Sequence, residues 1–251
     1  MAEAARAVDR IDTAPAFDPA ALEARFAGVS APDMLAELLT GDLAGRIAAV
    51  SSFGTESAVL LHMVALADPA TPVIFTDTER MFPETLAYRD TLVKRLGLTD
   101  VRVFRPDPAV LAARDPAGER HGYDPDGCCD IRKVQPLARA LRPFAAWISG
   151  RKGFQSGTRR ALPRFEMEDG RLKLNPLADW SRGDIDTWFA AHDLPRHPLE
   201  ALGYPSIGCA PCTSPVAPGE DPRAGRWRGF GKIECGIHQP VAPKSLQTSN
   251  G

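Results

Sequence analysis

The chain has 251 residues, 44% of them hydrophobic, with a formal net charge of −2 and five cysteines. That length and apolar content suit one α/β fold with a tail, and the near-neutral charge argues against a nucleic-acid or membrane-surface partner. No apolar run approaches the ~20 residues that span a bilayer, and the N-terminus lacks a cleavable-leader pattern. The expected location is therefore cytoplasmic, where thiols stay reduced and clustered cysteines bind metal or do redox work.

Residues 1–20 are rich in Ala, Pro and Asp and are expected to form a disordered N-terminus, followed by an α/β body over 21–205 and a C-terminal segment over 206–251. Leu22 to Leu39 has helical apolar spacing, broken near Pro32. Arg46 to Val50 predicts a short buried strand running into Ser51-Ser52-Phe53-Gly54-Thr55-Glu56-Ser57, and Ala58 to Ala67 predicts an apolar helix. Strand, Ser/Gly turn and helix start make a phosphate cradle, in which backbone N–H groups, the helix dipole and hydroxyls face an anion. Ser51, Ser52, Gly54, Thr55 and Ser57 are its candidate residues. A plain capped helix start is the alternative, and the loop lacks the Gly-Lys-Ser/Thr ending of a Walker motif.

Pro72 to Thr76 and Val101 to Phe104 predict two more strands, separated by Asp77-Thr78-Glu79-Arg80 and a helix from Pro83 to Leu96. This alternation predicts a mostly parallel sheet with helices on both faces and ligands at the carboxyl ends of the strands. Further on come a basic helix over Gly127 to Leu141, opened by Cys128 and Cys129, and a strand over Ala145 to Ser149. Phe165 to Leu174 reads as a hairpin turning at Asp169-Gly170, and Ser181 with Asp184 resembles a capping box opening a helix to His192. From Ile131 to Phe165 there are nine basic residues and no acid. They read singly as a solvated helix face and together as an anion-binding wall. Beyond Pro205 the chain is largely loop, with disorder expected from Pro240.

The cysteines divide into four plus one. Cys209-x-x-Cys212 is a normal zinc half-site, but its partner pair, Cys128 and Cys129, is adjacent. Neighbouring residues aim two sulfurs poorly at one small ion, whereas a cubane offers each a different iron, so a four-iron, four-sulfur cluster fits better than zinc. Unliganded thiols are the plain alternative. Cys235 stands alone and suits a nucleophile. Arg223, Arg226, Arg228 and Lys232 precede it, Glu234 adjoins it, and His238 follows as either a proton shuttle or an ordinary tail histidine.

The stretches GCCDIRKVQPL, NPLADWSRGDIDTWFAAHDLP, GYPSIGCAPCTSPV and GEDPRAGRWRG…ECGIH resemble the assimilatory adenylyl-sulfate reductases of the iron–sulfur-cluster type, within the PAPS/APS reductase family. The resemblance covers nearly all of Ser51 to His238. It implies a PP-loop fold like that of the adenine nucleotide alpha hydrolases, with SSFGTES as the modified phosphate loop. It implies one [4Fe-4S] cluster per chain on Cys128, Cys129, Cys209 and Cys212, and attack on sulfur by Cys235. Lys133 matches the family lysine between cluster and substrate, Arg159 the basic residue after the Gln-Ser turn, and Arg223 and Arg226 the tail arginines that close over the phosphosulfate. The implied substrate is adenosine 5′-phosphosulfate, and the implied reductant is thioredoxin or glutaredoxin. The implied setting is sulfate assimilation and cysteine biosynthesis, and self-association stays open. Three alternatives remain: the 3′-phosphorylated substrate, a zinc-bearing ATP-dependent ligase or thiolase of the same fold, and a non-catalytic cluster sensor. Departures from the family pattern are Glu79, where relatives often have Gly, Gly153-Phe154 in a stretch that is usually more charged, and Ile233 in place of a frequent Thr.

Overall fold

Short apolar strands alternating with helices build a single six-stranded sheet. The computed structural model describes residues 17–155, 161–232 and 234–237. Two helices, Pro19–Arg25 (α1) and Ala31–Thr40 (α2), come first. Asp18 caps α1 by accepting from the Ala20 N–H at 2.9 Å, so helix begins inside the stretch expected to be disordered. Next come Ile47–Val50 (β1), Ser57–Ala67 (α3), Val73–Thr76 (β2), Pro83–Leu96 (α4), Val101–Phe104 (β3) and Pro108–Arg114 (α5). Pro125–Cys129 (α6) runs through a π turn at Asp130–Val134 into Gln135–Ala140 (α7). Ala146–Ile148 (β4), Phe165–Glu168 (β5), Arg171–Leu174 (β6) and Arg182–Ala191 (α8) complete the body.

The strand order is β3-β2-β1-β4-β6-β5. All neighbours are parallel except β5 and β6, which form the expected hairpin. Its turn residues Asp169 (φ 49) and Gly170 (φ 75) both lie in the left-handed region that a type I′ turn requires. The chain leaves β1 for β2 on one side and returns as β4 on the other, which opens a crevice at their carboxyl ends.

Alternate side chains of the central strands go to opposite layers. Ala49, Val73, Phe75 and Ile148 pack with Leu35, Leu38, Leu61, Val64, Ile185 and Phe189 from α2, α3 and α8. Ala48, Ile74 and Trp147 face Leu137, Ala140 and Leu141 on the other side. The capping box at Ser181 and Asp184 is present in both directions. No helix among the described residues is long and apolar enough to cross a membrane.

Candidate active site

One cavity lies at the carboxyl ends of β1, β2 and β4, where the strand order switches direction. Ser51, Ser52, Gly54, Thr55 and Ser57 all line it, so the loop expected to cradle phosphate is where that role needs it. The loop is held from below. Phe53 (φ 49) is fully buried and meets Phe75 edge-on at 5.4 Å, and its N–H donates to Ser51 Oγ at 3.1 Å. Thr55 Oγ1 donates to the Pro205 carbonyl at 2.9 Å, joining the loop to the cysteine-bearing segment. Ser57 opens α3, so the positive end of that helix also faces the cavity.

Glu56, a residue sequence reading passed over, organises the cations at this mouth. Its carboxylate is buried between Lys152, at 3.0 Å, and Arg182, and accepts from Gln155 Nε2 at 2.9 Å. Burial raises the Glu56 pKa, but Lys152 and Arg182 outweigh it and hold the group below the usual carboxylate range. Arg182 also lies 4.9 Å over the Phe154 ring.

Of the acid-free stretch from Ile131 to Phe165, Lys133, Arg151 and Lys152 line the cavity, and the fold brings acids from elsewhere to four of its cations. Arg132 pairs with Asp115 at 2.8 Å, Arg151 with Glu166, Lys152 with Glu56, and Arg164 with Glu23 at 3.5 Å. Lys133 differs, having no carboxylate partner among the described residues. It is buried and lines both the cavity and the cysteine pocket. Burial disfavours its charge, yet the neighbouring Cys209, Cys235 and Cys129 sulfurs more than reverse this, and its ammonium is held above the ordinary lysine value.

Arg223, Arg226 and Cys235 line the same cavity. Arg226 lies 4.6 Å over the Trp227 ring, and its Nε is buried with no hydrogen-bond partner among the described residues. A Cβ at Gly208 would overlap the Arg226 guanidinium as it now lies, so any larger residue would displace that side chain. Glu234, whose charge beside Cys235 would oppose a thiolate, is paired with Arg223 at 3.3 Å. Arg159 and His238 lie outside the described residues.

Cys128, Cys129, Cys209 and Cys212 line a second pocket, which shares Lys133 and Trp227 with the first. Cys128 and Cys129 sit at the end of α6 rather than opening a helix, one turn inside the Asp124 cap. Adjacent helical residues point about 100° apart, so their sulfurs diverge. No three His, Cys, Asp or Glu donors among the described residues converge on a point that a single ion would fill. The four thiols instead surround a space. Burial, then the neighbouring thiols, pushes Cys128 up to about 12. Burial likewise raises Cys129 to about 11. Cys209 goes the other way: burial opposes its ionisation, but Lys133, the Thr78 hydroxyl at 3.2 Å and Arg226 draw its pKa down. Trp227 Nε1–H is buried without a partner at the same pocket. Four thiols lining one pocket, with buried cations beside them and a buried indole N–H left over, fit an anionic cluster that offers each sulfur a different iron better than a single ion.

The Cys209–Cys212 segment, grouped by sequence with the tail, is part of the body: Met81 and Cys209 form an antiparallel bridge, and Ala210 N–H donates to the Arg80 carbonyl at 2.7 Å. Of the Asp77–Arg80 turn, Thr78 reaches both sites, whereas Asp77 turns to Arg105 at 3.1 Å. Glu79 has φ 59, in the left-handed region that favours glycine.

Sheet order, loop and cavity together define an α/β fold of the PP-loop, adenine nucleotide alpha hydrolase-like class. A crystal structure of phosphoadenylyl-sulfate reductase from Candida auris, in complex with phosphate, shares this fold with a TM-score of 0.66 and 24% identity, covering 79% of this chain and 96% of that one. Residues 46–215 match the family model for the phosphoadenosine phosphosulfate reductase domain, and the chain belongs to that family. It is 57% identical to the adenosine 5′-phosphosulfate reductase of Mesorhizobium japonicum over 77% of this chain and 76% of that protein. It is 43% identical to the phosphoadenosine 5′-phosphosulfate reductase of Gloeobacter violaceus over 77% and 82%.

Proposed function

We infer that the chain is an oxidoreductase that converts adenosine 5′-phosphosulfate to sulfite and AMP, as a step in sulfate assimilation and cysteine biosynthesis. One observation carries this reading: the phosphate-type loop, Lys133, Arg223, Arg226 and the lone thiol Cys235 all line a single cavity. Anion-binding groups and a nucleophile around one space are what attack on a bound phosphosulfate requires.

In the proposed reaction the Cys235 thiolate attacks the sulfonate sulfur. The sulfur–oxygen bond to phosphate breaks, its electron pair leaves with AMP, and Cys235 becomes an S-sulfonate. Arg223, Arg226 and Lys133 stabilise the charge that builds on the leaving phosphate and the sulfonyl oxygens. A reduced dithiol protein of the thioredoxin or glutaredoxin class then attacks the Cys235 sulfur and displaces sulfite. Its second thiol resolves the mixed disulfide, so the two electrons come from the dithiol and Cys235 is restored.

Cys128, Cys129, Cys209 and Cys212 are the proposed ligands of one [4Fe-4S] cluster. Held by these four residues, the cluster would join α6 to the Cys209–Cys212 segment and supply negative charge beside Lys133. Arg159 is retained as a proposed phosphate contact on the family resemblance.

The test is sulfite release with reduced thioredoxin, run in competition between the two adenylyl sulfates. The unphosphorylated substrate should be preferred by tenfold or more, about 1.4 kcal/mol. A reversed preference would move the chain to the 3′-phosphorylated substrate, and no release from either would end the reductase reading.

A further inference from the structure

We propose that Ile237 is the positioning residue for the tail thiol: seated in an apolar groove beside the cavity, it holds Cys235 over the bound anion. The proposal rests on the assignment of Cys235 as nucleophile made above.

The groove is lined by Val134, Leu137, Leu141 and Trp147, with Glu168 and Arg171 at its rim. It lies next to the cavity, and both Ile237 and Trp147 line the two spaces at once. Ile237 is partly buried and packs against the second core layer, that of Leu137, Ala140, Leu141, Phe144 and Trp147. Gly236 makes the turn possible. Its φ is +81, and a Cβ there would stand 3.6 Å from Val134 Cγ2, so the backbone both turns and lies close against the π turn.

Two polar pairs among the described residues also hold the tail. Lys232 pairs with Asp126, whose side chain is 82% exposed, and Arg223 pairs with Glu234 at 3.3 Å. In the first, the Lys232 side chain is 8% exposed but its partner carboxylate stands in solvent, so salt weakens the pair. The second involves an arginine placed to bind substrate. Apolar seating of Ile237 depends on neither salt nor substrate charge. Consecutive Cα atoms are ~3.8 Å apart, so a seated Ile237 keeps the Cys235 Cα within about 7.6 Å of the groove. Releasing Ile237 removes that limit without altering any proposed cluster ligand or substrate-binding side chain.

The experiment compares the full-length holoenzyme with Ile237→Ala and Ile237→Leu. Alkylation of Cys235 by iodoacetamide is followed by peptide mass, with and without AMP, and S-sulfonate formation is followed in single turnover. In Ile237→Ala, alkylation should be about tenfold faster, equivalent to ~1.4 kcal/mol. Adduct formation should be slower by a similar factor, and discharge of the adduct by excess dithiothreitol should not be slowed. Ile237→Leu, which keeps the apolar bulk, should stay close to wild type. Equal alkylation in Ile237→Ala and wild type, or faster alkylation with unchanged adduct formation, overturns the proposal. Failure of the reductase reading is distinct: wild type would form no adduct, while the alkylation comparison would still report on the seat.

Discussion

Arg223 Nη2 lies 3.3 Å from Glu234 Oε2, so the residue next to the proposed nucleophile is fastened to an arginine on the far side of the tail loop. Bound phosphosulfate would compete with Glu234 for that guanidinium, coupling substrate arrival to the position of Cys235. Arg226, with its orphaned Nε, needs no such exchange.

The two arginines should therefore differ. Arg226→Ala should lower kcat/KM ten- to a hundredfold, as expected for a charge-assisted bond of about 1.5–3 kcal/mol. Arg223→Ala should also lower it, and Glu234→Gln should cost less than either. Steady-state kinetics alongside the cluster spectrum checks this, and wild-type kinetics in both arginine variants would make the stretch an ordinary loop.

Glu56→Gln should destabilise the fold by about 3 kcal/mol, because it leaves Lys152 buried beside a neutral group. Urea unfolding measures it. A loss under about 1 kcal/mol would mean that Lys152 finds other compensation.

His197 makes stability pH-dependent. It is 1% exposed, Leu199 N–H donates to its Nδ1 at 3.2 Å, and Nε2 lies 3.1 Å from Thr85 Oγ1. Burial lowers its pKa from 6.5 to about 4. The folded state thus binds this proton less readily than the unfolded state. The contribution is whole above pH ~6.5 and is lost as pH falls toward ~4, about 3 kcal/mol in all. Unfolding free energies across that window should fall less steeply in His197→Gln; equal slopes would contradict the assignment.

The protein purified without oxygen should carry about four irons and four labile sulfides per chain. Cys209→Ser should lose them. One zinc per chain without sulfide would replace the cluster assignment by a mononuclear site.

Local features were legible in the sequence because they are encoded within a few residues. Asp169-Gly170 dictates its turn, Ser181 with Asp184 caps α8, and the apolar runs at β1 and β2 are buried strands. The five-cysteine division pointed to both the pocket and the tail. Pro108–Arg114 was missed because it buries no side chain and so shows no apolar face, although Asp107-Pro108 is a normal helix start. The Glu56–Arg182 pair spans 126 positions and exists only once β1 and α8 are packed. Part of the basic stretch is neutralised for the same reason: Asp115, Glu166, Glu56 and Glu23 reach it through topology, which a one-dimensional charge count omits, while Lys133, Arg151 and Lys152 still line the cavity.

The central claim is that Cys235 is the nucleophile, and intact mass in the absence of reductant tests it most directly. Adenylyl sulfate added to the purified protein should release one AMP per chain and stop, with a mass gain of about 80 Da as covalent catalysis through one thiol requires. Reduced thioredoxin should then discharge sulfite and restore the starting mass. Cys235→Ser should keep the cluster, bind nucleotide and form no adduct, a hydroxyl being a far weaker nucleophile near neutral pH. An adduct on another residue, or native turnover in Cys235→Ser, would contradict the account.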